Sequence, residues 1–275
     1  MKNKIDISVI ILTYNESLHI KRCINSIKEF AREVIIVDSY STDRTIDICK
    51  KLKVRIYKNK FVNQAIQMNW ALKNINIKSK WIFRIDADEF IDKTSIINIG
   101  NLINSNKNIS GIIVERKVKF LNKMINYGLT SPHKTLRVWK KGKGIYPILD
   151  VDEQVKVNGK VLISDAVIID HNLKSFKWWI GKHKNYSQRE AISYLKIIKK
   201  KNVFLSKDAM YKKKKHNIYY KTPILVRPFL LFIYGYFFKL GFLTGWQGLL
   251  YNLFQILWYR LLVDIMIIQL SKKKL

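Results

Sequence analysis

Residues 80–92, Lys80-Trp81-Ile82-Phe83-Arg84-Ile85-Asp86-Ala87-Asp88-Glu89-Phe90-Ile91-Asp92, decide how the rest of the chain is read. The apolar run Trp81-Ile82-Phe83 predicts a short buried strand, which leads through Arg84 and Ile85 into Asp86-Ala87-Asp88-Glu89 and a polar turn. In open α/β sheets, ligands bind outside the carboxyl ends of the strands. Two aspartates one residue apart, where strand alternation breaks into a loop, can both reach one hard cation. Mg²⁺ and Mn²⁺ take oxygen ligands and commonly bridge carboxylates to a substrate diphosphate. A solvated acidic turn would carry the same residues, and a D-x-D triplet alone does not separate the two readings. Its neighbours do.

Upstream, Ile5-Asp6-Ile7-Ser8-Val9-Ile10-Ile11-Leu12 is β-branched, too short for a membrane span, and reads as a buried parallel strand ending in Thr13-Tyr14-Asn15-Glu16-Ser17. Leu18, Ile20, Cys23, Ile24 and Ile27 recur at helical spacing to about Phe30. Val34–Val37 is a second strand, ending in Asp38-Ser39-Tyr40-Ser41-Thr42-Asp43, where Thr42 or Asp43 caps the next helix. Val54–Tyr57 is a third strand, and Asn63–Lys73 a helix with Ala65, Ile66, Trp70 and Ala71 inward. Strands alternating with helices imply βαβ units and a mostly parallel sheet. Three strands thus deliver oxygen-rich turns to one sheet edge. That convergence is stronger than any single motif.

Downstream of Asn104, Gly111–Phe120, Thr135–Trp139, Gln154–Val157 and Val161–Asp170 read as strands, with a Gly142-Lys143-Gly144 turn and a carboxylate-rich Asp150-Val151-Asp152-Glu153 between them. A helix is predicted over 175–200, followed by Lys199–Lys221 with nine lysines against Asp208, an exposed basic connector. Pro223–Leu243 and Leu249–Leu270 are apolar segments. The first has ten residues between Pro228 and Lys239, and the second holds Arg260 and Asp264, whereas a spanning helix needs about 20 predominantly apolar residues. Asn252, Gln255, Arg260 and Asp264 fall within half of the helix circumference at about 100° per residue. The pattern favours interfacial helices on an anionic membrane over ordinary core packing.

Charge supports that placement. The 275 residues carry a net +31, and residues 172–275 hold 21 Lys+Arg against only Glu190, Asp208 and Asp264. Such a surface attracts phosphate in nucleic acid, nucleotide or anionic lipid, although the chain's general richness in Lys, Ile and Asn accounts for part of the excess. Hydrophobic content of 48% supports a substantial core. Cys23 and Cys49 have neither metal-ligand spacing nor a disulfide framework, which fits a reducing compartment, and Met1–Asp6 lead into a strand without a signal peptide.

Taken in order, Thr13-Tyr14-Asn15-Glu16, Asp38-Ser39-x-Ser41-Thr42-Asp43, Gln67-x-Asn69 and Asp86-Ala87-Asp88-Glu89 resemble the family-2 glycosyltransferases of the GT-A fold. More narrowly they resemble the bacterial branch that builds lipopolysaccharide or lipooligosaccharide core, including β-1,4-glucosyltransferases. Leu136-Arg137-Val138-Trp139 with Gly142-Lys143-Gly144, Val151–Val155, Arg227-Pro228 and Gly241–Leu249 extend the resemblance over nearly the whole chain. It implies an α/β GT-A catalytic domain over 1–171, Rossmann-like with helices on both sheet faces. Its nucleotide-sugar half would be about 1–104 and its acceptor half 105–171, with a helix and connector over 172–221 and a membrane-associating segment over 222–275.

The resemblance implies transfer of a hexose from a nucleotide-diphosphate sugar, UDP-glucose as first choice, to a lipid-linked acceptor with inversion. Asp88 would hold Mg²⁺ or Mn²⁺, with Asp86 near the ribose or metal. Thr13, Tyr14, Asn15, Glu16, Asp38, Ser39 and Gln67 would hold the nucleotide, and His171 would make a further metal or phosphate contact. Arg84 would pair with a phosphate or a neighbouring carboxylate. Inversion needs one base opposite the leaving group, assigned to Glu153. Here the chain departs from the usual V-H-E-x-V, because Asp152 replaces the histidine; two adjacent carboxylates lining one site would raise each other's pKa. The expected location is the cytoplasmic face of a bacterial inner membrane. A nucleotidyltransferase would show a Gly-rich loop after the first strand, which Thr13–Ser17 lacks. A nucleic-acid binder would show a recognisable reading element, and none is evident. An inactive scaffold is disfavoured by the intact Asp86-Ala87-Asp88 and Glu153.

Overall fold

The computed structural model describes residues 4–106, 108–147, 154–199, 219 and 222–272. Asp150, Asp152, Glu153 and most of the Lys-rich connector lie outside the described residues. The chain divides into two compact units, Met1–Met124 with Ser131–Leu173, and Ile125–Thr130 with Lys174–Leu275.

The first unit begins with β1 (Ile5–Thr13), α1 (Ile20–Ile27), β2 (Ala31–Asp38), α2 (Thr45–Lys51), β3 (Arg55–Lys58), α3 (Gln64–Asn74) and β4 (Trp81–Arg84). β2 and β4 flank β1, and all three run parallel, with β3 parallel to β2. Side chains of β1 alternate between two cores. Ile7, Val9 and Ile11 join Ile20, Cys23 and Ile24 of α1 on one face, whereas Ile10 joins Ala65, Met68 and Ala71 of α3 on the other. A strand covered on both faces needs apolar residues at odd and even positions alike, hence the nearly unbroken β-branched run. Each fully buried isoleucine contributes roughly 2–3 kcal/mol of burial.

Next come β5 (Glu89–Ile91), α4 (Lys93–Ser105), β6 (Ile109–Phe120), β7 (Lys123–Ile125), β8 (His133–Lys140), β9 (Gly144–Ile145), β10 (Lys156–Val157) and β11 (Lys160–Asp170). The sheet order is β3-β2-β1-β4-β8-β6-β11-β5, with β7 paired to β6, and β9 and β10 form a separate ribbon. The sheet is parallel through its first four strands and mixed thereafter, because β8 runs antiparallel to both β4 and β6. No helix separates β6 from β8, and without a crossover of that kind an antiparallel return is the economical pairing.

Three local outcomes differ from the sequence expectation. The acidic turn is shorter, because Glu89 already opens β5, which pairs antiparallel with the end of β11 (Asp170 opposite Glu89). The N-cap position of α2 is Arg44, with no side-chain cap; Asp43 instead accepts hydrogen bonds from the Thr45 N–H (2.9 Å) and the Ser17 N–H (3.1 Å). In α3, Asn63 caps the helix by accepting from the Ile66 N–H, and Gln67 and Met68 are buried where Ile66 and Trp70 are only partly so.

The second unit holds α5 (Phe176–Lys199), α6 (Arg227–Ile233) running into a π-helical turn Tyr234–Phe238, and a 3-10 turn Gly241–Thr244. It then continues through α7 (Trp246–Asn252), a π-helical stretch Leu253–Trp258 and α8 (Tyr259–Lys272). Ala191 of α5 packs against Val263 and Ile267 of α8. Two polar residues of the last helix turn towards protein: Arg260 pairs with Glu190, and Asp264 pairs with Arg227, whose Nε donates at 2.9 Å. Trp246–Lys272 is 27 residues long and apolar enough by length and composition to cross a membrane, with 22% of its apolar window buried.

Candidate active site

The carboxyl ends of β1, β2 and β4 lie side by side, with Thr13 opposite Asp38 and Ile10 opposite Arg84. The two loops beyond β1 and β2 are laced together. Asn15 N–H donates to Ser41 Oγ (2.9 Å), Glu16 N–H to Thr45 Oγ1 (2.8 Å), and Asn15 Oδ1 accepts from the Thr42 N–H (2.8 Å). Asn15 adopts φ 53° and Tyr40 φ 61°, left-handed conformations that asparagine tolerates better than most residues. Tyr14 and Tyr40 are left exposed at the rim.

Asp38 is fully buried. Its carboxylate accepts from the Thr13 hydroxyl (3.0 Å), the Ser41 N–H (2.8 Å) and the Ser41 hydroxyl, so it shapes the loop from within. Gln67 is likewise buried, donating to Ser39 Oγ and the Asn59 carbonyl at 3.1 Å each. Two residues on, Asn69 grips both backbone groups of Tyr146, donating to its carbonyl (2.7 Å) and accepting its N–H (3.1 Å). Gln67-x-Asn69 therefore ties α3 to three loops, those after β2, β3 and β9. Glu16 accepts from His19 Nδ1 (2.6 Å), while His19 Nε2 accepts the Leu173 N–H (2.8 Å), which fixes the tautomer of this buried imidazole.

Asp86 and Asp88 occupy different surroundings. Asp86 Oδ1 accepts from Arg84 Nη2 (2.6 Å), and Oδ2 faces both terminal nitrogens of Arg137 at 3.3 Å. Burial opposes ionisation of Asp86, but Arg84, Arg137 and Arg116 outweigh it and hold its carboxyl well below the usual range. Glu89 accepts from Arg137 Nη2 (2.7 Å), Arg116 Nε (2.9 Å) and the Asp86 N–H (2.9 Å). Burial pushes the Glu89 carboxyl up, Arg137 pulls it back and Asp86 adds to the rise. Arg116 also pairs with Asp170. Three guanidiniums and three carboxylates thus form one network beneath the acidic loop.

Asp88 stands clear of that network. Its Oδ2 accepts from Asn172 Nδ2 (3.1 Å), and Oδ1 makes no hydrogen bond among the described residues. Arg22 clamps the loop to the end of β11, donating to the carbonyls of Asp88 (3.1 Å) and His171 (2.6 Å), and His171 N–H donates to the Asp88 carbonyl (3.1 Å). Arg22 Nη1 also donates to His171 Nδ1 (2.9 Å), which leaves the ring hydrogen on Nε2. Burial first, then Arg22, Lys119 and His19, lower the His171 pKa, which favours the neutral imidazole. A hard divalent cation bound through one or two carboxylates and substrate phosphates fits Asp88 Oδ1, which the described residues leave without a hydrogen bond. Asp86, held by two guanidiniums, has no comparable oxygen to offer. Among the described residues no group of three His, Cys, Asp or Glu side chains could hold a metal unaided.

The structure therefore gathers Thr13, Asn15, Glu16, Asp38, Ser39 and Gln67 around the β1 and β2 ends, and Arg84, Asp86, Asp88 and His171 around the β4 end. Sequence reasoning gave no role to Arg22, His19, Glu89, Arg116, Arg137, Asp170 or Asn172. A signal existed for Arg137, a lone charge in the otherwise apolar Leu136–Trp139, which predicts a buried acidic partner.

A sheet parallel in its first half, mixed in its second and acidic at the end of β4 is the GT-A arrangement. The model of the family described as "Glycosyl transferase family 2" matches residues 8–150, and the chain belongs to that family. An uncharacterised glycosyltransferase of Rickettsia bellii is 41% identical over 87 residues, 32% of this chain and 29% of that protein. The lipopolysaccharide core biosynthesis glycosyltransferase LpsC of Rhizobium meliloti is 30% identical over 168 residues, 58% of this chain and 60% of its own length. The chain thus spans less than two thirds of these relatives. Among solved structures, glucosyl-3-phosphoglycerate synthase of Mycobacterium tuberculosis, in complex with Mn²⁺, UDP and glucosyl-3-phosphoglycerate, is 19% identical. It aligns with a TM-score of 0.35 over 41% of this chain and 43% of that one.

Proposed function

We propose that the chain moves a hexose, glucose by preference, from a nucleotide-diphosphate sugar to a hydroxyl of a lipid-linked cell-surface glycan, with inversion. The observation that carries this reading is the Asp88 carboxylate, with one oxygen free of hydrogen bonds among the described residues, at the common end of β1, β2 and β4 in a chain of this family. The name of the LpsC relative supports a glycan acceptor of the lipopolysaccharide-core kind.

Asp88 would hold a divalent cation, Mg²⁺ or Mn²⁺, which when bound supplies positive charge to the departing nucleoside diphosphate. The residues of the chain do the rest. The Thr13–Glu16 and Asp38–Ser41 loops shape the nucleotide pocket, and Tyr14 and Tyr40 offer ring faces at its rim. Arg84 and Arg137 keep Asp86 ionised and fixed, so that Asp86 sets the course of the loop carrying Asp88. His171 presents an N–H suited to a phosphate oxygen. Glu153 takes the acceptor hydroxyl's proton as the new bond forms, with Asp152 beside it in sequence. The C-terminal unit brings the site to the cytoplasmic face of an anionic membrane, where its acceptor resides.

The test is binding and hydrolysis across a panel of nucleotide sugars, with and without Mn²⁺, on wild type and Asp88→Asn. Cation-dependent selection of one donor, lost in the variant, is expected; no binding of any donor with cation present would sink the reading. Glu153→Gln is expected to lower turnover at least about 100-fold while donor affinity stays within about twofold. An Asp152→Asn variant that was dead in its place would reassign the base.

A further inference from the structure

One region of the second unit turns large apolar side chains outward around a polar interior. Arg227 (1% exposed), Asp264 (0%), Asn252 and Thr244 lie inside it, while Phe238 (72%), Trp246 (61%) and Phe237 (55%) stand outside. Phe229, Leu230, Ile233, Tyr234, Phe237 and Phe238 recur at three- and four-residue spacing, so their exposure forms one stripe along α6 and its π-helical turn. Leu240, Phe242, Leu243 and Trp246 continue the patch around the turn. Water-soluble units seldom show so large an apolar surface without an occupant.

We propose that this face, Val226–Trp246, seats in one leaflet of an anionic bilayer and lies in its plane. The purpose assigned to that seat, access to a lipid-linked acceptor, rests on the function proposed above; its geometry does not. The helical run of seven and five residues is about 18 Å long at 1.5 Å per residue, against a hydrocarbon core of about 30 Å. It is too short to cross. A stripe along its whole length suits a helix lying flat rather than one entering end-on. Lys239 Nζ lies 5.6 Å from the Tyr234 ring centroid, folded along an aromatic body as a snorkelling lysine would be.

The scaffold behind the stripe is tight. A Cβ on Gly235 would meet Ile256 Cδ1 at 2.9 Å, and one on Gly248 would meet the Gly241 carbonyl oxygen at 2.5 Å. The stripe therefore sits on helices held at close approach. Charge selects the occupant. A second copy of the chain would bring another +31 to the same face, whereas anionic lipid meets the 21 basic and 3 acidic residues of positions 172–275 with opposite charge.

The test uses the full chain with phosphatidylcholine vesicles, with and without phosphatidylglycerol. The double variant Phe229→Ser, Phe238→Ser alters two exposed side chains remote from the nucleotide site in sequence. It is expected to lower partitioning onto anionic vesicles by about 100-fold, while cation-dependent UDP binding stays unchanged. A fluorophore on Phe238→Cys, where Cys23 and Cys49 are buried and do not compete, is expected to be quenched most by lipids labelled near the headgroup. Unchanged partitioning of the double variant would overturn the proposal, as would strongest quenching from the bilayer midplane. A variant that turned a dimer into a monomer in sedimentation and kept its vesicle binding would assign the face to a second copy instead. Vesicle binding by a wild type that bound no nucleotide would uphold the seat and remove the glycosyl-transfer reading.

Discussion

Asp86 and Asp88 lie one residue apart in sequence yet face opposite electrostatic conditions. Asp86 is an anion between Arg84 and Arg137, and the Asp88 carboxylate pairs with no guanidinium among the described residues and accepts at one oxygen from Asn172. Asp88→Asn is expected to abolish cation-dependent donor binding with the melting temperature unchanged. Asp86→Asn should instead cost about 3 kcal/mol in denaturant unfolding, because two largely buried guanidiniums lose their counter-charge. Asp43 offers a pH test. Burial raises its carboxyl, but hydrogen bonds from Thr45 and Ser17 outweigh this and lower it. Its contribution to stability is present above the ordinary carboxylate value of about 3.9 and lost as pH falls through the lowered folded value. In Asp43→Asn, unfolding midpoints measured against pH should be lower at neutrality and decline less steeply in acid. The sequence marked both aspartates of the triplet. The resemblance gave the cation first to Asp88, but local sequence could not show that Asp86 is held by ion pairs, because one partner, Arg137, lies 51 residues beyond it on an antiparallel strand.

The parallel elements were legible because each leaves its period in local sequence. β1, β2 and α1 follow directly from β-branched runs and three-four spacing. β5 was not legible: it has three residues, and its partner is the end of β11, whose sequence position says nothing about pairing. Local sequence therefore suggests a longer acidic turn and a loop position for Glu89, which instead opens β5 and anchors two arginines. The helical turns of the second unit were readable as apolar but not as π-helical, since an inserted residue leaves no mark in composition. At this scale the close approach around Gly248 makes a sharp prediction. Gly248→Ala sets a Cβ 2.5 Å from the Gly241 carbonyl oxygen and 2.6 Å from Thr244 Cβ. A loss of about 1–3 kcal/mol is expected, read as faster amide exchange in Trp246–Asn252 with exchange in β1 unchanged.

Across the whole molecule, composition announced a basic chain with an apolar end, and amphipathic spacing placed polar residues on one side of the last helix. Which side faces protein depends on neighbours that spacing alone cannot name. The structure turns Asp264 towards Arg227 and Arg260 towards Glu190, and leaves Ile265 exposed between them and the end of the helix. The competing use of so much positive charge is nucleic acid. A gel shift at physiological ionic strength is expected to show only weak, sequence-indifferent retardation, and tight sequence-selective binding would favour that use. The Arg227–Asp264 pair also imposes an order of events. An unpartnered aspartate at the centre of a helix in hydrocarbon costs about 3 kcal/mol, and Asp264 is neutralised only once the segment carrying Arg227 has docked. In the membrane seat proposed above, lipid would be a hospitable solvent for the finished unit and a poor one for its isolated last helix, so that assembly would precede anchoring.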